Sequence, residues 1–434
     1  MVSDRELAYE MLYEVFEKEG FSNLVLKNRE TTGFVSAMFY GTITRSYTID
    51  FLLKHIAKVD MAKVDPSTRT ILRMGVWQLL FSSKTPSFAA VDTAVKLAHK
   101  LNPKSASYVN AILRKISSAD IDIDSFKPEI QTSLKPEIFG VLKKSYGRDE
   151  ALAIGKALLE SPKISIRTNI LKTDTDKLLK ILMSEGVSCK RLDILKDSII
   201  IEGTNVETLQ SFKDGLFFVQ NEAAQWASII ASPSKGMKIL DCCAAPGGKS
   251  THLAELSGDD CEILSLDINE SRLNLINENS KRLGINSIKT KCFDSTSLDD
   301  SLGSFDMVLC DVPCSGLGLM SRKPDIRLTI SYDRIEELLP RQREILMRAS
   351  GLVRPGGKLI YCTCTLNRKE NEETIQDFLT NNSEFVASDI TDIISTSLIM
   401  NEERKTEAAQ GMLTLFPHID GCDGFFICKL ERRA

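Results

Sequence analysis

Apolar positions in the first 120 residues recur every three or four places, the spacing that lines one face of a helix. Leu7, Met11, Leu12 and Val15 make the first stripe, within a run MVSDRELAYEMLYEVF that predicts an amphipathic helix. Phe34, Met38, Ile49, Leu52 and Leu53 follow with Gly41 among them, then Ile71, Leu72, Val76, Leu79 and Leu80. FAAVDTAVKLAHK predicts another helix, and ASYVNAILRKI closes the segment with Val109, Ile112, Leu113 and Ile116 on one face. An all-α bundle of six or seven helices is expected. IDIDSFKPEIQTSLKP is acidic, then punctuated by proline, and reads as a linker.

Past residue 130 the period changes. PKISIRTNI and DSIIIEG predict strands with the helix DTDKLLKILMSEGV between them, and FKDGLFFVQNEAAQWASIIA passes from strand into helix. From residue 237 short apolar strands alternate with helical patterns, the signature of a parallel sheet wrapped by helices. MKILD, EILSLD, IKTKCFD, FDMVLCD and GKLIYCTCT are the strands, and GMLTLFP and GFFICKL predict a closing hairpin. Three domains are therefore expected: all-α over 1–125, a small α+β (RRM-like) domain over 126–225, and an α/β Rossmann-like domain over 226–434.

Composition changes this picture little. The 434 residues are 43% hydrophobic and 26% charged, as in ordinary globular chains. No apolar run approaches the roughly 20 residues that span a bilayer. The acidic, helical start lacks the basic and apolar regions of a secretory signal, so a cytoplasmic location is expected. The net charge of −4 is unevenly spread: residues 1–120 carry 16 Lys/Arg against 12 Asp/Glu, a net of +4. That positive segment suits an RNA-binding module. None of the eleven cysteines forms a C-x-x-C pair and the four histidines are scattered, so no metal site is expected.

The candidate chemistry lies in the last segment. Cys243, Ala244, Ala245, Pro246, Gly247, Gly248 and Lys249 form a turn that follows a strand and opens a helix. Small residues let backbone approach a ligand there, and helix-start N–H groups favour its carboxylate. The string is neither a G-x-G-x-x-G turn nor a P-loop. Asp267 ends the next strand, where a carboxylate accepts hydrogen bonds from ribose hydroxyls, although DINES would also cap a helix well. Strand four ends in Asp311-Val312-Pro313-Cys314-Ser315-Gly316 and strand five in Thr363-Cys364-Thr365. Carboxyl ends of adjacent central strands face one crevice, so the thiols of Cys314 and Cys364 are expected to meet. Cys362 reads as a buried structural thiol.

RELAYEMLYEV, FVSAMFYGTITRSYTIDFLLKHIAK, TRTILRMGVWQLLF and YVNAILRKI resemble the NusB family, a helical RNA-binding fold. IRTN and FVQNEAAQ, then CAAPGGK, DVPCSGLG, RKPDIR, YCTCT with ENEE, and DGFF, resemble in order and spacing the Sun (Fmu, RsmB) family of 16S rRNA cytosine-C5 methyltransferases. The likeness spans nearly the whole chain. Asn221 stands where that family usually has an acidic residue, Val312 where it often has Ala, and Thr365 where it often has Ser. The resemblance implies a class I methyltransferase fold using S-adenosyl-L-methionine, with Asp294 at the adenine amino group. It implies Cys364 as nucleophile on cytosine C6, Cys314 as the helper in release, Asp311 on the base edge and also near the cofactor, and Lys249 as electrostatic support. DNA enzymes of this chemistry use the proline-cysteine motif instead, and cysteines in both places fit the RNA arrangement. The expected partner is small-subunit rRNA, naked or partly assembled, with no DNA, no membrane and a monomeric enzyme. The competing readings are the same chemistry on tRNA or 23S rRNA, and a non-catalytic RNA-binding or antitermination factor.

Overall fold

A computed structural model describes residues 3–434 apart from residues 28, 84 and 193. The chain forms two compact units, Met1–Ser161 with Leu319–Ser331, and Pro162–Gly318 with Tyr332–Ala434. Met1 and Val2, included in the first expected helix, lie outside the described residues.

The first unit is helical. Seven α-helices, among the described residues before 120, run over Asp4–Glu17, Ser22–Lys27, Gly33–Thr44, Ser46–His55, Pro66–Leu80, Ser87–Leu101 and Ala106–Ser117. Ser3 opens the first with a reciprocal capping box to Glu6, and Asp65 caps the fifth ahead of Pro66. Met11, Leu12, Met38, Leu52, Ile71, Leu113 and Ile116 are buried in one core, as their spacing requires. Gly41 lets two helices close up, because a Cβ there would lie 2.3 Å from the Trp77 indole nitrogen.

The expected linker is instead packed structure. Pro128–Gln131 is a short helix, and Ile130, Thr132, Ser133 and Leu134 are buried. Its polar look misleads because buried side chains satisfy its backbone. Thr48 Oγ1 donates to the Ile130 carbonyl at 2.6 Å, and Arg327 Nη1 donates to those of Thr132 and Ser133 at 2.9 and 3.2 Å. Arg327 belongs to Leu319–Ser331, the excursion from the C-terminal half of the chain that completes this unit. Its other nitrogen reaches the Leu158 carbonyl, Ser22 donates to Asp325, and Leu328 packs on the helical core.

The second unit holds two sheets. The smaller has β1 (Ile164–Thr168), β2 (Ser188–Arg191), β3 (Ser198–Glu202) and β4 (Phe217–Val219), all antiparallel in the order β2-β3-β1-β4. The larger has β5 (Lys238–Asp241), β6 (Glu262–Asp267), β7 (Ile288–Cys292), β8 (Phe305–Asp311) and β9 (Val353–Thr363). β10 (Phe385–Ala387), β11 (Met412–Leu415) and β12 (Phe425–Arg432) complete it. The order is β10-β12-β9-β8-β5-β6-β7 with β11 also on β12. β5 through β9 are parallel and β12 joins antiparallel, so the fold is a Rossmann-like sheet with the expected hairpin at one edge. Core residues cover both faces of it.

Candidate active site

β8 and β9 run side by side with Asp311 opposite Cys362, so their C-terminal turns leave the sheet together. Cys314 lies three residues past β8 and Cys364 one residue past β9. Their Sγ atoms are 3.2 Å apart, and both side chains are half-buried. The hydrogen bond to Cys364, with burial, pushes the Cys314 thiol well above the usual thiol range. The Gly318 N–H donates to the Cys364 carbonyl and the Gly424 N–H to that of Gly318, both at 3.1 Å. A Cβ on Gly318 would sit 2.0 Å from the Gly424 oxygen, which is why DVPCSGLG and DGFF each carry a glycine at this crossing. Asp423 beside it accepts from Asn221, a contact that the more usual acidic residue would turn into repulsion.

Three carboxylates end neighbouring parallel strands: Asp241 on β5, Asp267 on β6 and Asp311 on β8. Lys249, in the first turn of helix Gly248–Leu256, places Nζ 2.6 Å from Asp311 Oδ2 and 5.2 Å from the centre of the Phe425 ring. Burial pulls the Lys249 ammonium toward neutrality, and the Asp311 charge more than offsets it, so its pKa is raised. Asp267 is buried, receives the Asn269 N–H at 3.0 Å and lies 3.3 Å from Arg272 Nη1. Asn269 caps the following helix Glu270–Leu283, so Asp267 is not spent as its cap.

The turn from Cys243 to Lys249 is held by backbone hydrogen bonds and by Arg272 Nη2 and Asn279 Nδ2, which donate to the Ala245 and Pro246 carbonyls at 2.9 and 3.2 Å. The Ala244 N–H donates to Leu266 O at 2.8 Å, the Gly247 N–H to Ala244 O at 2.7 Å, and Gly247 takes a φ of +98°. Pro246 is exposed, Ala244 and Ala245 are buried, and burial pushes the Cys243 thiol up, out of reactive range. Asp294 sits apart, past β7 at the far edge of the row. It accepts from the Thr296 N–H and hydroxyl, which hold its carboxyl below the usual range. Cys362 is fully buried, its Sγ 3.6 Å from Asp311 Oδ1. Among the described residues no group of three or more His, Cys, Asp or Glu is arranged to hold a metal ion, and no helix is long and apolar enough to cross a membrane.

Sequence reasoning passed over Asp241, whose signal was a strand, MKILD, ending in a carboxylate just ahead of the turn. It is buried, with Ser250 Oγ donating to Oδ2 at 2.6 Å and Oδ1 left without a hydrogen-bond partner. Burial raises its pKa to about 7 against the pull of that hydrogen bond. A buried, half-satisfied carboxylate beside a glycine turn fits a cationic ligand.

A family described as "16S rRNA methyltransferase RsmB/F" matches residues 228–431, the NusB family residues 2–118, and an RsmF/B-like ferredoxin-like domain residues 139–207. The "Probable ribosomal RNA small subunit methyltransferase B" of Bacillus subtilis is 31% identical over all of this chain and 99% of its own length. The crystal structure of PH0851 superposes with a TM-score of 0.80 at 27% identity, covering 100% of this chain and 99% of that one. NSun6 from Pyrococcus horikoshii shares the fold at 23% identity and a TM-score of 0.62, over 69% of this chain and 98% of that one, and was solved with SFG, an S-adenosylmethionine analogue. With a relative matched from end to end and a NusB, a ferredoxin-like and a methyltransferase segment in that order, the chain belongs to the ribosomal RNA small subunit methyltransferase B family, S-adenosylmethionine-dependent enzymes that act on rRNA.

Proposed function

We propose that this enzyme methylates C5 of one cytosine in 16S rRNA through a covalent adduct between Cys364 and C6. The observation that carries the reading is the pair of thiols 3.2 Å apart at the ends of adjacent parallel strands. C5 of cytosine is a weak nucleophile until C6 is attacked, and a thiolate on C6 moves electron density onto C5. Cys314, held as a thiol by its hydrogen bond to Cys364 and by burial, stands beside the nucleophile. Asp311 orients the base by its N3 or amino edge, and Lys249, with Nζ 2.6 Å from Asp311 Oδ2, supports the site electrostatically. S-adenosylmethionine, when bound, supplies an electrophilic methyl group to C5.

The residues that would hold it are Asp267 at the ribose, Asp294 at the adenine amino group, Asp311 alongside, and the turn Cys243, Ala244, Ala245, Pro246, Gly247, Gly248 and Lys249. Release needs the C5 proton removed and the C6–S bond broken. Once Cys364 is a neutral thioether, its charge no longer raises the Cys314 pKa, so Cys314 can give up its proton and act as the base. The base must be unstacked to expose C6, which points to an accessible loop or flipped nucleotide in naked or partly assembled rRNA. A cytoplasmic monomer completes the reading. Bisulfite sequencing of all rRNA and tRNA from a deletion strain tests it: one lost 5-methylcytosine in 16S rRNA supports it, and a loss in tRNA or 23S rRNA, or none, overturns it.

Two further results are expected at the cofactor. Asp267→Ala weakens S-adenosylmethionine binding by about 1–3 kcal/mol, the scale of lost charged hydrogen bonds. Calorimetry that found unchanged affinity in the folded variant would remove the ribose assignment. Asp241 gives a pH dependence. Its folded carboxyl titrates at about 7, and a cation beside it prefers the ionised form. Binding below that pH therefore expels a proton, and affinity rises from about pH 6 to about pH 8 before levelling. Asp241→Asn flattens the rise, and a wild-type affinity independent of pH would exclude the contact.

A further inference from the structure

The ENEE run, noted above only for its likeness, lies behind both cysteine turns. Glu370 is fully buried and all of its side-chain hydrogen-bonding capacity faces inward. Its Oε1 accepts from the Ser315 N–H at 2.8 Å and from Gln342 Nε2 at 2.9 Å; its Oε2 accepts from Ser315 Oγ at 2.6 Å and Asn367 Nδ2 at 2.9 Å. Gln342 Nε2 also reaches the Pro313 carbonyl at 3.0 Å. Glu370 thus grips the residue after Cys314 directly and the residue before it through Gln342. Asn371, equally buried, does the same for the other thiol. Its Oδ1 accepts from Thr363 Oγ1 at 2.6 Å and its Nδ2 donates to the Thr365 carbonyl at 3.0 Å, bracketing Cys364. A hydrogen bond of 2.6 Å between the Ser315 and Thr365 hydroxyls ties the two turns together.

We propose that Glu370 and Asn371 are positioning residues with separate duties, Asn371 aiming Cys364 for attack on C6 and Glu370 aiming Cys314 for release. Adjacent in sequence, they fix the separation of the two thiols from one point of the backbone, which Tyr361 Oη in turn holds by donating to the Glu370 carbonyl at 2.7 Å. In release, the base takes the C5 proton, the C5–H electron pair re-forms the C5=C6 double bond, and the Cys364 sulfur leaves with the C6–S pair. A displaced Cys314 slows that step alone, whereas a displaced Cys364 slows the formation of the C6–S bond. This rests on the cysteine roles proposed above.

The test is single-turnover reaction of the full-length enzyme with unmodified small-subunit rRNA transcript, following the covalent complex on denaturing gels. Asn371→Asp keeps the acceptor for Thr363 and loses the donor to Thr365. It is expected to slow appearance of the adduct on the order of tenfold to a hundredfold, the cost of small misplacement, with decay unchanged. Glu370→Gln sets an amide N–H against donors that need an acceptor, and is expected to leave appearance unchanged while decay slows on that same order, so that adduct accumulates. Thr363→Val and Asn367→Ala, each deleting one donor to Asn371 or Glu370, must show the same split if the first pair fold poorly. The inference is overturned if both classes of variant slow the same step, or if neither changes a rate while wild type forms and resolves its adduct. Failure of the cysteine reading itself looks different: wild type then forms no adduct and Cys364→Ala still methylates.

Discussion

Replacing Cys364 with alanine is expected to stop methylation outright and leave no covalent RNA complex, because the attacking sulfur is gone. Cys314→Ala is expected to do the opposite: attack and methyl transfer proceed, the C5 proton stays, and a protein–RNA complex that survives denaturing electrophoresis builds up. The two thiols are near neighbours, 3.2 Å apart, so proximity alone does not separate them. What separates them is the strand each follows and the hydrogen bond that keeps Cys314 protonated in the resting enzyme. An adduct that accumulated in Cys364→Ala and vanished in Cys314→Ala would reverse the roles. Full methylation by both variants would end the covalent scheme.

The second large effect is on stability. Arg167 on β1 and Glu255 on the helix behind the cofactor turn form a bidentate ion pair at 2.8 and 3.0 Å, each side chain only 1% exposed. Arg167 also reaches Thr251 Oγ1, Gln220 and the Gly248 carbonyl, and its guanidinium lies 5.3 Å from the Phe218 ring centre. Burial pushes the Glu255 carboxyl up and the guanidinium offsets this only in part, the mark of a pair whose desolvation nearly cancels its attraction. Arg167→Ala is therefore expected to cost about 3–5 kcal/mol, mostly from the stranded carboxylate. The double variant Arg167→Met with Glu255→Leu recovers most of that loss. Urea unfolding of the two decides it: a double variant as unstable as the single would mean that the pair itself, not the stranded charge, holds the small sheet to the cofactor helix.

The helices of the first 120 residues were legible because their apolar stripes face a single core. The strands β5, β6 and β8 and the second half of β9 were legible because each carries a short apolar stretch. β2 was not: SCKR has three exposed positions and one partly covered, so it carries no alternation. Cys314 and Cys364 could be paired from sequence because topology places the ends of adjacent parallel strands together. Asp241, Glu370 and Asn371 could not be assigned, since their importance lies in which distant groups they face, and no local pattern marks that. The segment 121–136 misled because proline and acidic residues mark turns, while the carbonyl acceptors that bury it are answered from almost 200 residues away.

That distant answer has a consequence for the order of synthesis. The chain leaves the ribosome N-terminus first, yet the helical unit is not complete until Ser331 has emerged, because Arg327 supplies the donors for the Thr132, Ser133 and Leu158 carbonyls. Until then those buried acceptors stay open to water and Leu328 is missing from the core. More than 150 further residues, including both sheets' first strands, are made in the interval. The module that comes first in sequence is thus finished only after β5 to β8, half the strands of the larger sheet, have been translated, and a nascent chain halted before Arg327 carries the helical unit only in an unfinished form.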